Sequence, residues 1–217
     1  MSSRSASYGG GDGATDPETQ PEVVAKMSAL LELMVTDSPL GITSEEYEAM
    51  DEELCRRIEI VDGRVGFVAS PSCDHQIITW NLRGALRERL PDGFAVATDL
   101  DLRLRDIPLL VRKPDVVVFR KDGWTGKAPL RAERVVLVAE VVSPGSVTVD
   151  RVDKPAEYAA AGIPYIWRIE QGFDLTIFVY ELAANGAAYG QPTPFDLRYV
   201  ASEPFEINLD VQALSAE

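Results

Sequence analysis

The sequence predicts a mixed α/β domain in which helices flank a mixed central β-sheet. Three observations carry that expectation. Short apolar runs with strand character recur between residues 57 and 182, and two stretches, Ser72 to Leu90 and Val149 to Ala161, switch to helical spacing. The composition, 46% hydrophobic and 26% charged over 217 residues, is that of an ordinary chain long enough to bury a core.

Residues 1–20 are Gly-, Ser-, Thr- and acid-rich and are expected to form a disordered tail. Residues 21–37 carry Val23, Val24, Met27, Leu30, Leu31 and Met34 at helical spacing, so an N-terminal helical segment is expected there. The folded domain is expected over 38–210. It opens on Thr43 with Glu46 three residues later, a capping-box signature for a helix reaching about Glu53. The period then shortens: Arg57 to Val61, Asp62-Gly63, and Arg64 to Val68 spell strand, type I′ turn, strand.

Ser72 to Leu90 places Ile77, Ile78, Leu82, Leu86 and Leu90 on one side and arginines on the other, and Pro91-Asp92-Gly93 ends it. Phe94 to Leu104 alternates as a strand, Asp106 to Arg112 is expected as a loop, and Asp115 to Phe119 is a compact buried strand. Arg134 to Val142 is the most apolar strand of the chain. Ser143-Pro144-Gly145 breaks it, a helix covers roughly Val149 to Ala161 with Gly162 as its stop, and strands over Pro164 to Glu170 and Asp174 to Leu182 follow. Weaker β signals extend to residue 210.

Charge and composition exclude several classes. No apolar run approaches the roughly 18 to 20 residues a membrane helix requires, and Met1 to Gln20 lacks the hydrophobic segment of a secretory signal, so no membrane partner and a cytoplasmic location are expected. Cys55 and Cys73 are too few for a disulfide framework or a zinc site and read as small hydrophobes. The formal charge of −14 argues against an indiscriminate grip on nucleic acid. That charge is uneven, however: residues 43–170 carry −4 and the flanks −10. An anionic partner would meet the middle segment, where Arg83, Arg87, Arg89, Arg103, Arg105, Arg112, Lys113, Arg120 and Lys121 lie, unless these only solvate a face.

The chemically informative residue is Glu140, set within Val135-Val-Leu-Val-Ala-Glu-Val-Val142, a strand buried on both faces. An unpaired carboxylate there would cost several kcal/mol, so a metal ion, a paired cation or a raised pKa must compensate. Asp115 poses the same problem at the head of Val116-Val-Val-Phe119, just after Pro114. Two acids on neighbouring buried strands suggest one site, and hard carboxylate oxygens suit Mg²⁺ or Mn²⁺. The plainer alternative is that Asp115 caps a strand while Glu140 pairs with a buried arginine. On the next helix Asp150, Asp153, Lys154 and Tyr158 form a polar cluster, with Lys154 and Tyr158 one turn apart. Lys154 could stabilise charge on a phosphate or position a water. Glu59 points away from Ile58 and Ile60, either to solvent or to a site, and His75, the single histidine, stands near the start of the long helix.

Taken in order, Arg57-Ile-Glu-Ile-Val-Asp-Gly63, Ser70-Pro-Ser-Cys-Asp-His75, Pro114-Asp115, Val138-Ala-Glu-Val-Val-Ser-Pro144, Asp150 with Asp153-Lys154, Tyr158, Gly162-Ile-Pro164 and Trp167 resemble the Uma2 family of restriction-endonuclease-like proteins, a branch of the PD-(D/E)XK nuclease superfamily. The resemblance covers about residues 38 to 182. It implies a restriction-endonuclease-like sheet, convergence of Glu59, Asp115 and Glu140, metal ligation by Asp115, Glu140 and the backbone carbonyl of Val141, and hydrolysis of nucleic acid, DNA rather than RNA, by a metal-activated water. Lys154 and His75 complete the implied catalytic set. Paired sites cutting two strands would make the protein a homodimer. The sequence departs from the superfamily at Val142, where a lysine is expected two residues after the glutamate, and Pro155 disfavours helical dihedrals at Lys154 unless it falls in a first turn. These departures, with the acidic charge, define an alternative: a catalytically inactive fold acting as a binding or assembly module. A nucleophilic hydrolase would have to use His75, whose nearest partners Ser72, Cys73 and Asp74 are its chain neighbours.

Overall fold

The computed structural model describes Ser28 and residues 38–216 apart from positions 69 and 127. The expected tail over 1–20 and helical segment over 21–37 lie outside the described residues. The described residues from 38 onward fall in one compact unit.

Thr43 caps α1 (Ser44–Glu48) with the reciprocal bonds of a capping box: Glu46 N–H donates to its hydroxyl at 3.2 Å and Thr43 N–H donates to the Glu46 carboxylate at 2.8 Å. The helix expected to reach Glu53 is instead two, because the Asp51 carboxylate accepts from the N–H groups of Glu53 and Leu54 and starts a second helix, α2 (Glu52–Cys55). The hairpin β1 (Ile58–Val61) and β2 (Arg64–Phe67) turns through Asp62 and Gly63, both at positive φ, as a type I′ turn requires. A side chain on Gly63 would run into the Leu40 carbonyl, and one on Gly41 into Gly63, so the two glycines let the chain before α1 lie flat on the turn.

The long helix α3 (Cys73–Arg87) is capped by Ser72 and buries Ile78, Leu82 and Leu86. Phe94 to Leu104 is two strands in different sheets, β3 (Phe94–Ala97) and β4 (Leu102–Arg105), and the turn between them passes through Asp99 at φ 52°. The expected loop before Arg112 contains β5 (Leu110–Arg112), which pairs with β1 and β4. Three residues are too few for alternation to register, and Arg112 is buried by ion pairing rather than by apolarity. β6 (Val116–Arg120) and the short β7 (Leu130–Arg131) precede β8 (Val135–Val141), buried at every position as its sequence predicts.

A π-helical stretch, Val149–Asp153, runs into α4 (Lys154–Ala160). Pro155 falls in the first turn of α4, and Lys154 keeps helical dihedrals, φ −59° and ψ −44°. The widened turn ahead of the proline is what accommodates its missing N–H and its ring. The remaining strands are β9 (Tyr165–Gln171), β10 (Leu175–Glu181), β11 (Thr193–Phe195), β12 (Arg198–Ala201) and β13 (Ile207–Asp210).

The central sheet has six strands in the order β11-β10-β9-β8-β6-β3. It is mixed: β8 and β9 are parallel, joined across α4, and their neighbours are antiparallel. On one face Ile78, Leu82 and Leu86 of α3 pack on Val116, Val118, Leu137, Ala139 and Val141, and the β12–β13 hairpin adds Tyr199, Ile207 and Leu209. On the other face Tyr158 and Ile163 pack on Val117, Phe119, Val138 and Ile166. A second sheet, β2-β1-β5-β4-β7, contributes Leu102 and Leu130 to that side. Helix α3 also carries the C-terminal segment, Asn81 donating to the carbonyls of Leu214 and Ala216 at 3.0 and 2.9 Å.

Candidate functional site

The site forms where two acids meet at one end of the central sheet. Val116 pairs with Ala139, so Asp115, the residue before β6, lies beside Glu140 near the end of β8. Asp115 is locked to that end of β8: its Oδ2 accepts the Val141 N–H at 2.7 Å and lies 3.0 Å from His75 Nε2. His75 is brought in by the first turn of α3, where its own N–H donates to Ser72 Oγ at 3.2 Å. Asp115 Oδ1 has no hydrogen-bond or ion-pair partner among the described residues.

Glu140 is 1% exposed. Its Oε2 pairs with Lys154 Nζ at 2.7 Å and its Oε1 accepts from the Tyr158 hydroxyl at 2.5 Å. Lys154 also lies 3.0 Å from Asp150 Oδ1, and Ser146 Oγ donates to the other oxygen of Asp150. Positions 150, 154 and 158 follow at intervals of four, so one helical stripe delivers Lys154 and Tyr158 to the Glu140 carboxylate and sets Asp150 against Lys154. The partner of Glu140 is thus a lysine and a tyrosine, not an arginine. Asp153, expected in this cluster, is exposed on another face of the helix.

The electrostatics follow from burial. Desolvation pushes the Glu140 carboxyl up, Asp115 and Asp150 add to this, and Lys154 opposes it. For Lys154 burial disfavours the ammonium, but Glu140 and Asp150 outweigh it and hold the side chain protonated. Burial and the neighbouring Glu140 raise the Tyr158 hydroxyl, which stays a donor. For His75 burial works against the imidazolium, yet the hydrogen bond with Asp115 and the charges of Asp115 and Glu140 leave its pKa above the ordinary value.

Glu59 sits beside this cluster rather than within its hydrogen bonds. Its carboxylate takes the Lys113 N–H at 2.8 Å and Arg112 Nη1 at 2.9 Å. Arg112 also makes a bidentate pair with Glu157 on α4, both bonds 2.7 Å, so Glu59 reaches the Lys154 helix through an arginine. Val141 enters through its N–H to Asp115. Asp99, which sequence reasoning overlooked, has its carboxyl raised by partial burial and by Asp115. Its only signal was an acid in a turn. Ser146 and Arg112 were equally silent, since a serine after Ser-Pro-Gly and an arginine on a short strand have many ordinary explanations. Among the described residues no three His, Cys, Asp or Glu side chains group closely enough to hold a metal ion by themselves, and no helix is long and apolar enough to cross a membrane.

A mixed sheet carrying two acids at the ends of adjacent central strands, with a lysine brought up by the following helix, defines a restriction-endonuclease-like architecture. The fold recurs in the crystal structure of a putative nuclease belonging to DUF820 from Anabaena variabilis, with a TM-score of 0.61 at 18% identity over 81% of this chain and 98% of that one. The chain belongs to the Uma2 family, described as putative restriction endonuclease, whose family model matches residues 44–212. No curated protein matches the sequence.

Proposed function

We propose that the protein is a Mg²⁺- or Mn²⁺-dependent endonuclease that hydrolyses phosphodiester bonds, in DNA rather than RNA. The observation that carries this reading is the adjacency of Asp115 and the buried Glu140, tied through the Val141 N–H and faced by a protonated Lys154. Membership of a family described as putative restriction endonuclease supports the substrate class.

The donor set fits a hard divalent cation. Asp115 Oδ1 is unengaged, and each Glu140 oxygen, although bonded once, retains a second lone pair. Two carboxylates with the Val141 carbonyl leave several positions for water, the arrangement Mg²⁺ prefers to an all-protein cage. A metal held there would supply Lewis-acid charge and an acidified water. The protein's own groups do the rest. Lys154 offers positive charge where negative charge grows on a phosphate. Asp150 and Tyr158 fix its position against Glu140, and His75 orients the Asp115 carboxylate. In the homodimer that this reading includes, two such sites would act on two strands.

The test is cleavage of plasmid DNA, single-stranded DNA and RNA by wild type and Glu140→Gln in Mg²⁺, Mn²⁺ or EDTA. Divalent-dependent cutting of DNA that falls at least a hundredfold in the variant is expected. Equal cutting by Glu140→Gln, or cutting in EDTA, would sink the proposal. One observation favours a second reading, a non-catalytic binding module: the buried Glu140 carboxylate already has an ion pair with Lys154 and a hydrogen bond from Tyr158, so its burial is supported without a metal. Under that reading neither wild type nor variant binds Mn²⁺ in a calorimetric titration.

A further inference from the structure

Among the described residues most cations are committed to carboxylates. Arg103 pairs with Glu48 and Asp106, Arg105 with Asp62, Arg112 with Glu59 and Glu157, Lys113 with Asp101, Arg131 with Asp106, and Arg151 and Arg168 with Glu170. Three of the nine basic residues that could meet an anion, Arg103, Arg112 and Lys113, are buried in this way. Arg83, Arg87, Arg120 and Lys121 differ: none has a carboxylate partner among the described residues, and they gather in one place. Arg83, Arg87, Lys121 and Phe94 line a groove of about 300 Å³ between the C-terminal half of α3 and the end of β6, with Asp92 the single acid among its described lining residues. Arg120 lies over the Phe94 ring, 5.9 Å from its centroid.

An aromatic side chain extends the same surface. Gln76, Trp80, Arg83 and Arg87 recur at intervals of four, three and four residues, one line along α3 beside its buried stripe. Trp80 is 71% exposed, although it is the kind of residue a helix ordinarily turns inward, and Arg83 stands 6.0 Å from its ring centroid. The line starts next to His75 and leads away from it, reaching Arg83 after about 12 Å and Arg87 after about 18 Å of helix rise.

Resting on the nuclease reading, we propose that this face docks a single-stranded segment of nucleic acid: Trp80 stacks on an unpaired base while Arg83, Arg87 and Lys121 take successive phosphates. A flat exposed indole has no partner in a fully paired duplex, whereas every unpaired base presents a π-face to it. Unpaired cations around it supply the phosphate contacts that the overall charge of −14 would otherwise oppose. The substrate this face selects is therefore DNA with unpaired bases near the cleavage position.

The experiment is fluorescence anisotropy of a fluorescein-labelled single-stranded 20-mer and of the corresponding duplex with the full chain, in EDTA so that binding is separated from cleavage. Wild type should bind the single strand more tightly than the duplex. Trp80→Ala should weaken single-strand binding at least fivefold, and Arg83→Ala/Arg87→Ala at least tenfold, with a salt dependence shallower by about 1.4 in log–log slope for two lost contacts. Arg64→Ala, which removes an exposed cation elsewhere, should leave affinity unchanged, and circular dichroism melts should superimpose for all four proteins. Unchanged affinity in the α3 variants, or tighter binding of the duplex, would overturn the docking proposal while leaving divalent-dependent cleavage to stand. Wild type that neither binds nor cleaves any oligonucleotide would remove both. Binding to phosphatidylserine vesicles without binding to oligonucleotide would assign the face to a membrane surface and also overturn it.

Discussion

Asp115 accepts the backbone N–H of Val141 at 2.7 Å, so a side chain from one strand is bonded to the residue following Glu140 on the next. The bond makes Asp115 structural as well as chemical, and the two roles can be separated. Asp115→Asn keeps an oxygen able to accept from Val141 but removes the charge; Asp115→Ala removes both. Mn²⁺ affinity measured by calorimetry is expected to fall at least tenfold in each. Thermal stability should fall further in Asp115→Ala than in Asp115→Asn, by about 1–3 kcal/mol for a buried N–H left without its acceptor. Equal Mn²⁺ affinity in wild type and Asp115→Asn would exclude Asp115 as a ligand.

Lys154 and Glu140 are both nearly buried, and each compensates the other's charge. Removing one leaves the other stranded. Lys154→Met is expected to cost about 3–5 kcal/mol in urea denaturation at neutral pH. Glu140→Gln should cost less, because Lys154 keeps Asp150 at 3.0 Å. The double variant should be more stable than the sum of the two losses implies, with a coupling of about 1–3 kcal/mol. Strict additivity would show that the pair is not the electrostatic unit that its 2.7 Å contact indicates.

His75 is the only histidine, which makes its contribution to pH dependence separable. Although burial disfavours its charged form, its bond to Asp115 raises its folded pKa above the ordinary value of about 6.5. A group bound more tightly to its proton in the folded state contributes stability that is fully present below about pH 6.5 and is lost as pH rises through the folded value. The stability difference between wild type and His75→Gln should therefore be largest at acid pH and shrink on going to alkaline pH. A difference that stays flat from pH 5 to 9 would contradict the charged pairing of His75 with Asp115.

The legible parts of this molecule are those where one physical signal dominated. An all-apolar run gave away β8, and the single acid inside it exposed Glu140. Asp62-Gly63 announced a turn with two positive φ angles, and Thr43 with Glu46 announced a cap. What escaped was set by tertiary pairing. Residues 94–104 alternate continuously, but Asp99 at positive φ sends the two halves into different sheets. β5 is too short to carry a period. Pro155 signals a break, and only the preceding π-helical turn shows how Lys154 remains helical. Arg112 was visible as one more arginine because no local pattern reveals that two glutamates from distant segments will meet it.

That arginine yields the last prediction. Arg112 has 6% side-chain exposure and joins Glu59 on β1 to Glu157 on α4, so it couples the second sheet to the helix that carries Lys154. Its planar fork makes two bonds to Glu157 and one to Glu59, and a lysine keeps the charge without that geometry. Arg112→Lys should lower stability by about 1–3 kcal/mol, the loss expected for charge-assisted hydrogen bonds with the charge retained. If Arg112 also fixes α4 over Glu140, the variant should lower kcat for DNA cleavage several-fold with little change in KM, since it touches no surface open to substrate. Glu157→Gln, which leaves one oxygen able to accept from the fork, should fall between wild type and Arg112→Lys in both measurements. A stability loss with wild-type kcat would confine Arg112 to holding the two sheets' elements together and would remove it from the positioning of Lys154.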